Sequence, residues 1–224
     1  TMTVLQEKLN ELRNDLVEMA SLVARQLDKS VHALLESDED LANEVIVNEK
    51  RVNAFELKID SDCEQIFTLL APFAQDMRFV FSTVKINADL ERIGDYAESI
   101  AKLVLLGKKE FDTALMQTIR LQEMFEVAMS MLQDVTTAYA EDDSRLARTL
   151  FARDEQLNEI NRHVAERVGD YLQQNLNKMH QALLLLSIIR KLERVGDHIK
   201  NIAEDVIFFK EAKVLKHIDK KDPS

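Results

Sequence analysis

The feature that most constrains the fold is a segment that occurs twice. Residues 85–101 read KINADLERIGDYAESIA and residues 187–203 read SIIRKLERVGDHIKNIA, so the core L-E-R-[IV]-G-D returns after 102 positions. Apolar side chains recur every three or four residues through both copies, which is the pattern of an amphipathic helix. Two such copies in one chain predict a duplicated unit of about 105 residues.

Composition favours long helices over any sheet. The chain of 224 residues has only 4 Gly and 2 Pro, which leaves few residues for turns. We predict an all-α fold with six long helices, arranged as two tandem pseudo-symmetric three-helix bundles. The helices are expected to end near residues 36, 70, 107, 139, 175 and 212, with Pro72 ending the second helix and Gly107 as the C′ residue of the third. The predicted units are residues 1–107 and 108–212, followed by a polar tail at 213–224.

Charge and hydropathy limit the possible partners. The formal net charge of −11 argues against nucleic acid as the main partner, because phosphate binding needs a basic surface. It suits a cation or a basic protein surface. No apolar run approaches the ~18 residues of a membrane span, and the N-terminus has no signal-peptide pattern. We therefore expect a cytoplasmic protein without a membrane span, in which Cys63 is buried and reduced.

An acidic ridge runs beside the apolar stripe of each repeated segment. It consists of Glu91, Asp95 and Glu98 in the first copy and of Glu193 and Asp197 in the second. Residues i and i+4 are ~40° apart on a helix, so each Glu–Asp pair presents two carboxylates on one face. Acidic pairs at this spacing are common in this chain, and most of them are interpreted as solvated surface. The repeated context singles out these two pairs as candidates for function.

Both acidic pairs enclose a glycine in the middle of the helix. Gly94 and Gly196 lie three residues after Glu91 and Glu193, and each costs ~1 kcal/mol of helix stability relative to Ala. A glycine kept in both copies indicates that something approaches the backbone closely there. A neighbouring helix and the ligand shell of a bound ion both remain open as the cause.

A second set of residues is expected at the same height on the preceding helix. Glu49-Lys-Arg-Val-Asn53 aligns with Asp154-Glu-Gln-Leu-Asn158 at an offset of 105. Counted from the intervening turn at ~1.5 Å per residue, each segment lies level with the acidic pair on the following antiparallel helix. The predicted ligand sets are Glu49, Asn53, Glu91 and Asp95 in the first unit, and Asp154, Asn158, Glu193 and Asp197 in the second.

These sets offer only oxygen ligands, which suit hard cations such as Fe³⁺, Mn²⁺, Mg²⁺ or Ca²⁺. No Glu-x-x-His motif, phosphate-binding loop or nucleophile elbow is present, so an enzyme is disfavoured. A carboxylate-bridged metalloenzyme on a helical bundle remains an alternative. So does a purely structural bundle, in which Arg92 and Arg194 neutralise the acids. His198 is interpreted as a packing or surface residue.

A third ERVGD sequence, at residues 166–170, is interpreted as a chance match. It lies only ~5–9 residues from the turn, far from the level of the acidic pair on the next helix. The corresponding stretch of the first unit reads SDCEQ. We therefore expect no function for it.

The chain resembles the PhoU family of phosphate-transport regulators over essentially its whole length. The resemblance is carried by the duplicated L-E-R-[IV]-G-D unit, by Pro72 and by the DMRFV that follows the turn. The resemblance implies two E/D-x-x-x-D motifs per repeat that bind metal clusters, iron among the candidates. The pairs that end in Asp95 and Asp197 match fully. Asn53 and Asn158 stand where the family has Asp, which removes one negative charge from each set.

The resemblance also implies a role and partners. Members of the family are cytoplasmic, often dimeric, and restrain a membrane sensor histidine kinase of the phosphate regulon. They also act on the ATP-binding-cassette phosphate transporter. A homodimeric regulator of phosphate homeostasis is therefore expected, with no catalytic residues.

Overall fold

The computed structural model describes residues 1–108 and 111–212. Within these ranges every regular element is helical, as the predicted all-α class requires. The α-helices are α1 Val4–Glu36, α2 Glu39–Gln65, α3 Gln75–Leu106, α4 Thr113–Thr118, α5 Leu121–Glu141, α6 Ser144–Arg148, α7 Leu150–Gln173 and α8 Met179–Glu211. A π-helical turn at Ile66–Leu70 extends α2, and a 3-10 turn at Leu176–Lys178 precedes α8. The predicted polar tail, 213–224, lies outside the described residues.

Short polar side chains set the starts of several helices. Thr3 and Gln6 form a capping box, in which the Gln6 N–H donates to Thr3 Oγ1 at 3.2 Å and the Thr3 N–H donates to Gln6 Oε1 at 3.0 Å. Asp38 Oδ1 accepts from the Leu41 N–H at 3.0 Å at the start of α2. These contacts satisfy N–H groups that have no partner inside a helix.

The predicted fourth helix is interrupted at Arg120, which has a left-handed φ of 60° and separates α4 from α5. Ile119 and Leu121 are both fully buried. On a continuous helix two residues at i and i+2 would point about 200° apart, so one of them would face solvent. The break at Arg120 allows both side chains to enter the core, and our expectation of one unbroken helix was wrong.

The predicted fifth helix is divided at Thr149 between α6 and α7. The Thr149 hydroxyl donates to the Leu146 carbonyl at 2.7 Å, and the Thr149 N–H bonds the same carbonyl at 3.1 Å. A hydroxyl that bonds the local backbone competes with the regular helix ladder. The helical path continues past this point, but with one irregular residue.

Gly107 ends α3 for a different reason from the predicted one. Its φ is −73°, an ordinary right-handed value, and the left-handed residue is Lys108 with φ 47°. A Cβ at Gly107 would overlap the ring of Phe111. The glycine is therefore needed for the close approach of an aromatic ring, not for a left-handed cap.

The helices share one hydrophobic core. α1, α2 and α3 pack together, as do α5, α7 and α8, and α3 also packs along α8. Contacts between α3 and α8 join Lys85 to Asp205 and Asp89 to His198, so these two helices run antiparallel. Phe79, Tyr139 and Phe209 meet with ring centroids 5.3–6.0 Å apart and connect the two groups of helices.

Cys63 of α2 lies in this core, as predicted, and burial raises the pKa of its thiol to about 12. None of the helices in the described ranges combines the length and the apolar character that crossing a bilayer requires. The division into units at residue 107 stays a prediction.

Candidate metal centre

The glycines of the repeated motif face side chains of the preceding helix at short range. A Cβ at Gly94 would stand 3.0 Å from Val52 Cγ1 on α2, and a Cβ at Gly196 would stand 2.5 Å from Leu157 Cδ1 on α7. Val52 and Leu157 are separated by the same 105 positions as the aligned segments. The duplicated motif therefore makes the same helix–helix contact twice.

An acid of the facing helix lies beside each glycine. The Cβ position at Gly94 is 3.5 Å from Glu49 Oε2, and the position at Gly196 is 3.1 Å from Asp154 Oδ1. The neighbouring helix is thus the observed cause of the glycine, and it brings a carboxylate with it; the ligand shell of an ion stays a prediction. A missing side chain on α3 or α8 leaves space for that carboxylate.

Three carboxylates converge in the first half of the chain. Oxygens of Glu49, Asp95 and Glu98 all lie within 4.8 Å of one another. Glu49 is 5% exposed, and neither of its carboxylate oxygens has a hydrogen-bond partner. A buried ionised carboxylate without a donor or counter-ion is costly. The residue must therefore hold a proton or face a cation.

The pKa of Glu49 is raised to about 8, first by burial and then by the charges of Asp95 and Glu98. Glu91 has its pKa raised to about 7 by burial and by Asp95, with Glu56 contributing further. These shifts show a cluster of acids that repel one another.

Arg92 does not neutralise this cluster. Its Nη1 lies 3.3 Å from Asp95 Oδ2, but its side chain is 54% exposed. Exposed ion pairs of this kind contribute about 0–1 kcal/mol, and the pKa of Glu91 stays raised despite the guanidinium. The arginine is a weak counter-ion for the outer edge of the cluster.

The second half repeats the arrangement with different chemistry. Asp154 is 3% exposed, its Oδ1 has no hydrogen-bond partner, and its Oδ2 accepts from Asn158 Nδ2 at 3.5 Å. Burial and Asp197 raise the pKa of Asp154 to about 6, while Lys200 lowers it. Burial, followed by Asp197, also raises the pKa of Glu193.

The structure brings together some of the predicted residues and leaves others apart. Glu49 and Asp95 meet as predicted, but Asn53 is exposed at the surface of α2. Glu98 joins the cluster although it was not among the predicted ligands. Its signal was available, because it lies three residues after Asp95 on the same helical face.

Two lesser expectations can also be compared with the structure. Glu166 and Asp170 of the third ERVGD are exposed, and a Cβ at Gly169 would meet no atom within 4 Å. His198 packs between the halves, with its Nδ1 2.8 Å from Asp89 and its ring 5.8 Å from that of Tyr96.

The first cluster suits a hard metal ion. Its donors are carboxylate oxygens, which Fe³⁺, Mn²⁺, Mg²⁺ and Ca²⁺ prefer. The unpartnered Glu49 oxygens are buried acceptors, and a cation in contact with them would take the place of the proton that the raised pKa of Glu49 favours. Fold and site together define a class: an all-α bundle with a duplicated acidic motif at a close contact between helices.

Comparison with known proteins specifies that class further. The PhoU domain model matches residues 16–104 and 121–206, so the chain belongs to the PhoU family. It is 28% identical to the phosphate-specific transport system accessory protein PhoU of Escherichia coli K12 over 94% of this chain and 87% of that protein. It is 30% identical to the homologue from Aquifex aeolicus, over 94% and 95% of the two chains.

Solved structures agree with this assignment. The crystal structure of PhoU from Pseudomonas aeruginosa superposes with a TM-score of 0.88 at 28% identity, covering 92% of this chain and 99% of that one. The phosphate transport system regulatory protein PhoU from Streptococcus pneumoniae gives a TM-score of 0.86 at 26% identity, covering 95% and 99%.

Proposed function

We propose that this protein is a metal-binding accessory regulator of phosphate uptake. In this role it restrains a phosphate-sensing histidine kinase and acts on the ATPase of a phosphate ABC transporter, as a cytoplasmic homodimer. Family membership and the names of its relatives support the regulatory part. The metal-binding part depends on one observation, the buried Glu49 carboxylate with two unpartnered oxygens beside Asp95 and Glu98.

Each residue of the first cluster has a distinct role in this proposal. Glu49 supplies the buried carboxylate from α2, and Asp95 and Glu98 supply carboxylates from α3. Glu91, at the partly exposed edge, adds negative charge next to Asp95. Glu98 also pairs with Lys102 at 3.0 Å, and a bound ion supplies the positive charge that the buried Glu49 lacks. Binding thereby joins α2 to α3 beside Gly94, where the two helices already touch.

A metal-binding measurement tests the first part of the proposal. The protein is stripped with EDTA, dialysed against Mn²⁺ or Fe³⁺, and its bound metal is measured by mass spectrometry. The double variant Glu91→Ala, Asp95→Ala should lose the metal of the first cluster. It should keep its helical circular dichroism, because the apolar residues by which α3 packs into the core lie on a different stripe of the helix from these acids. The matched control is Glu7→Ala, Glu11→Ala, an exposed acidic pair with the same spacing on α1. Unchanged metal content in the first variant would refute the site.

A cellular experiment tests the regulatory part. In cells that lack the gene, a reporter of phosphate-starvation genes should be active even in high phosphate. Wild-type protein and the control variant Glu7→Ala, Glu11→Ala should restore repression. A pull-down from phosphate-replete cells should recover the kinase and the transporter ATPase. A reporter that does not respond to the gene would contradict the regulatory role.

A further inference from the structure

Two apolar stripes stay exposed at equivalent positions of the duplicated motif helices. On α3, Met77 is 49% exposed and Phe81 is 50% exposed, and Val84 continues this stripe one turn further on. The residues 102 positions after the first two are Met179 and Leu183 on α8, which are 46% and 55% exposed. Single exposed apolar residues are ordinary on a protein surface, whereas a contiguous apolar patch marks an interaction site. The same patch kept on both helices therefore indicates a contact surface.

Both stripes lead into one cleft. Residues spaced by three or four lie on one side of a helix, and this spacing continues the first stripe to Ala88 and Arg92 and the second to Asp197 and Asn201. These four residues line the same cleft of about 640 Å³ between α3 and α8. The stripes therefore face the same side of the molecule, which we call the α3–α8 face.

The two stripes lie at opposite ends of this face. Each stripe is near the start of its helix, and the helices run antiparallel, with Lys85 of α3 paired to Asp205 near the end of α8. Counted from that pair at ~1.5 Å per residue, the centres of the stripes are about 40 Å apart.

We propose that the α3–α8 face is the contact between two copies of this chain, related by a two-fold axis. The inference rests on the proposed homodimer and adds which surface forms it. In such a dimer the apolar stripes of one copy pack against those of the other.

The separation of the stripes favours a second copy as the partner. A two-fold contact uses the same surface of both partners, so the stripes of the second copy are also about 40 Å apart. Both apolar contacts therefore form together. An unrelated partner would have to present two apolar sites at that same distance.

The charges between the stripes also suit a second copy. The cleft carries both signs, with Lys85 and Arg92 from α3 and Asp197 and Glu204 from α8. The Arg92 side chain is 54% exposed, so a partner can reach it. A face of one sign would repel an identical face, whereas a face with both signs places a cation of one copy against an acid of the other.

The α3–α8 face is large enough for a stable dimer. α3 has 32 residues and α8 has 33, and two adjacent helices of this length present a face of about 48 Å by about 20 Å. This area, on the order of 1,000 Å², exceeds the roughly 800 Å² that each partner buries in a standard protein–protein interface.

Analytical ultracentrifugation of the full-length protein tests the contact. Wild type should sediment as a dimer, and Phe81→Glu and Leu183→Glu should each raise the dimer dissociation constant about tenfold or more, because a carboxylate would enter an apolar contact. The matched control is Val47→Glu, which adds the same charge at a 66% exposed position of α2 and should leave the dimer unchanged. All three variants should keep the circular dichroism of wild type, since the replaced side chains are exposed.

Methionine oxidation supplies a readout on the unmodified protein. Hydrogen peroxide converts accessible methionine to the sulfoxide, which mass spectrometry measures below and above the dimer dissociation constant. Met77 and Met179 should react more slowly in the dimer, because the second copy covers them. Met129, in the groove between α1 and α5, should react at the same rate at both concentrations.

The outcomes separate this inference from the proposed function. A dimeric wild type whose Phe81→Glu and Leu183→Glu variants stay dimeric would overturn the α3–α8 face as the contact and leave the homodimer in place. Equal oxidation of Met77 and Met179 at both concentrations would do the same. A monomeric wild type would overturn the homodimer and its contact together, while the metal content of the first cluster is decided by its own measurement.

Discussion

At the scale of single residues, the absence of a Cβ at Gly94 and Gly196 determines how closely the helices approach. Each glycine faces an apolar side chain and an acid of the preceding helix in the same half. A glycine in a helix costs ~1 kcal/mol relative to Ala, so the close contact must offset that cost. At Gly94, packing and the candidate metal centre thus depend on the same position.

We expect Gly94→Ala to lower the stability of the protein. Helix propensity alone would raise it by up to ~1 kcal/mol, but the new methyl would stand 3.0 Å from Val52 Cγ1. Val is β-branched and cannot easily turn aside, and overpacking costs ~1–3 kcal/mol. Thermal melts should therefore show a lower Tm, with weaker metal binding because the contact with Val52 pushes α2, which carries Glu49, away from α3.

Gly169→Ala is the matched control for this prediction. Gly169 is also helical, but a Cβ there would meet no atom within 4 Å, so this substitution should raise the Tm by removing a poor helix former. A raised Tm in both variants would contradict the close-contact explanation of Gly94.

At the scale of elements, the turn between α2 and α3 contains strained alanines. Ala71 has φ 43°, and Ala74 has φ 51° with ψ −116°. The second combination belongs to a region that glycine adopts readily and that residues with a Cβ avoid. Pro72 between them ends the second helix as predicted, but the strain around it could not be anticipated from the sequence.

Ala74→Gly should therefore stabilise the protein by about 1 kcal/mol, because it relieves the strain of a Cβ in that conformation. The measurement is the urea concentration at the midpoint of unfolding, compared between variants whose free energy of unfolding falls with urea at the same slope. Ala165→Gly, at an exposed position within α7, should have the opposite effect of about 1 kcal/mol. If both variants were destabilised equally, the turn at Ala74 would not be strained.

At the scale of the whole molecule, the acidic clusters predict that stability depends on pH. The pKa of Glu49 is raised from 4.5 to about 8 in the folded protein, and those of Glu91 and Asp154 to about 7 and about 6. Between the unfolded and folded pKa values the folded protein binds more protons. Its free energy of unfolding therefore falls as the pH rises through that range.

We expect the metal-free protein to be less stable at pH 8 than at pH 5.5, by on the order of 1 kcal/mol for each pKa unit involved. Asp112 and Glu123 have lowered pKa values, so their opposite effect is confined to more acidic solutions. Urea unfolding in EDTA measures the difference. Glu49→Gln should remove about half of it, and Glu7→Gln none. Higher stability at pH 8 in wild type would contradict the prediction.

The sequence by itself determined the features that follow from helix geometry. Spacing of three or four residues identified the apolar stripes, and counting along the chain placed Glu49 level with Asp95. Both are local quantities, since a helix has a constant rise and turn per residue. The same regularity made the duplication visible, and the structure repeats its contact at Val52 and Leu157.

Tertiary structure decided what depends on neighbours distant in the chain. Arg120 breaks a helix because Ile119 and Leu121 both enter a core formed by other helices. Glu98 joins the cluster because α2 brings Glu49 towards it. The sequence shows which side chains are acidic, but their pKa values depend on burial and on charges across the interface, which exist only after the helices pack.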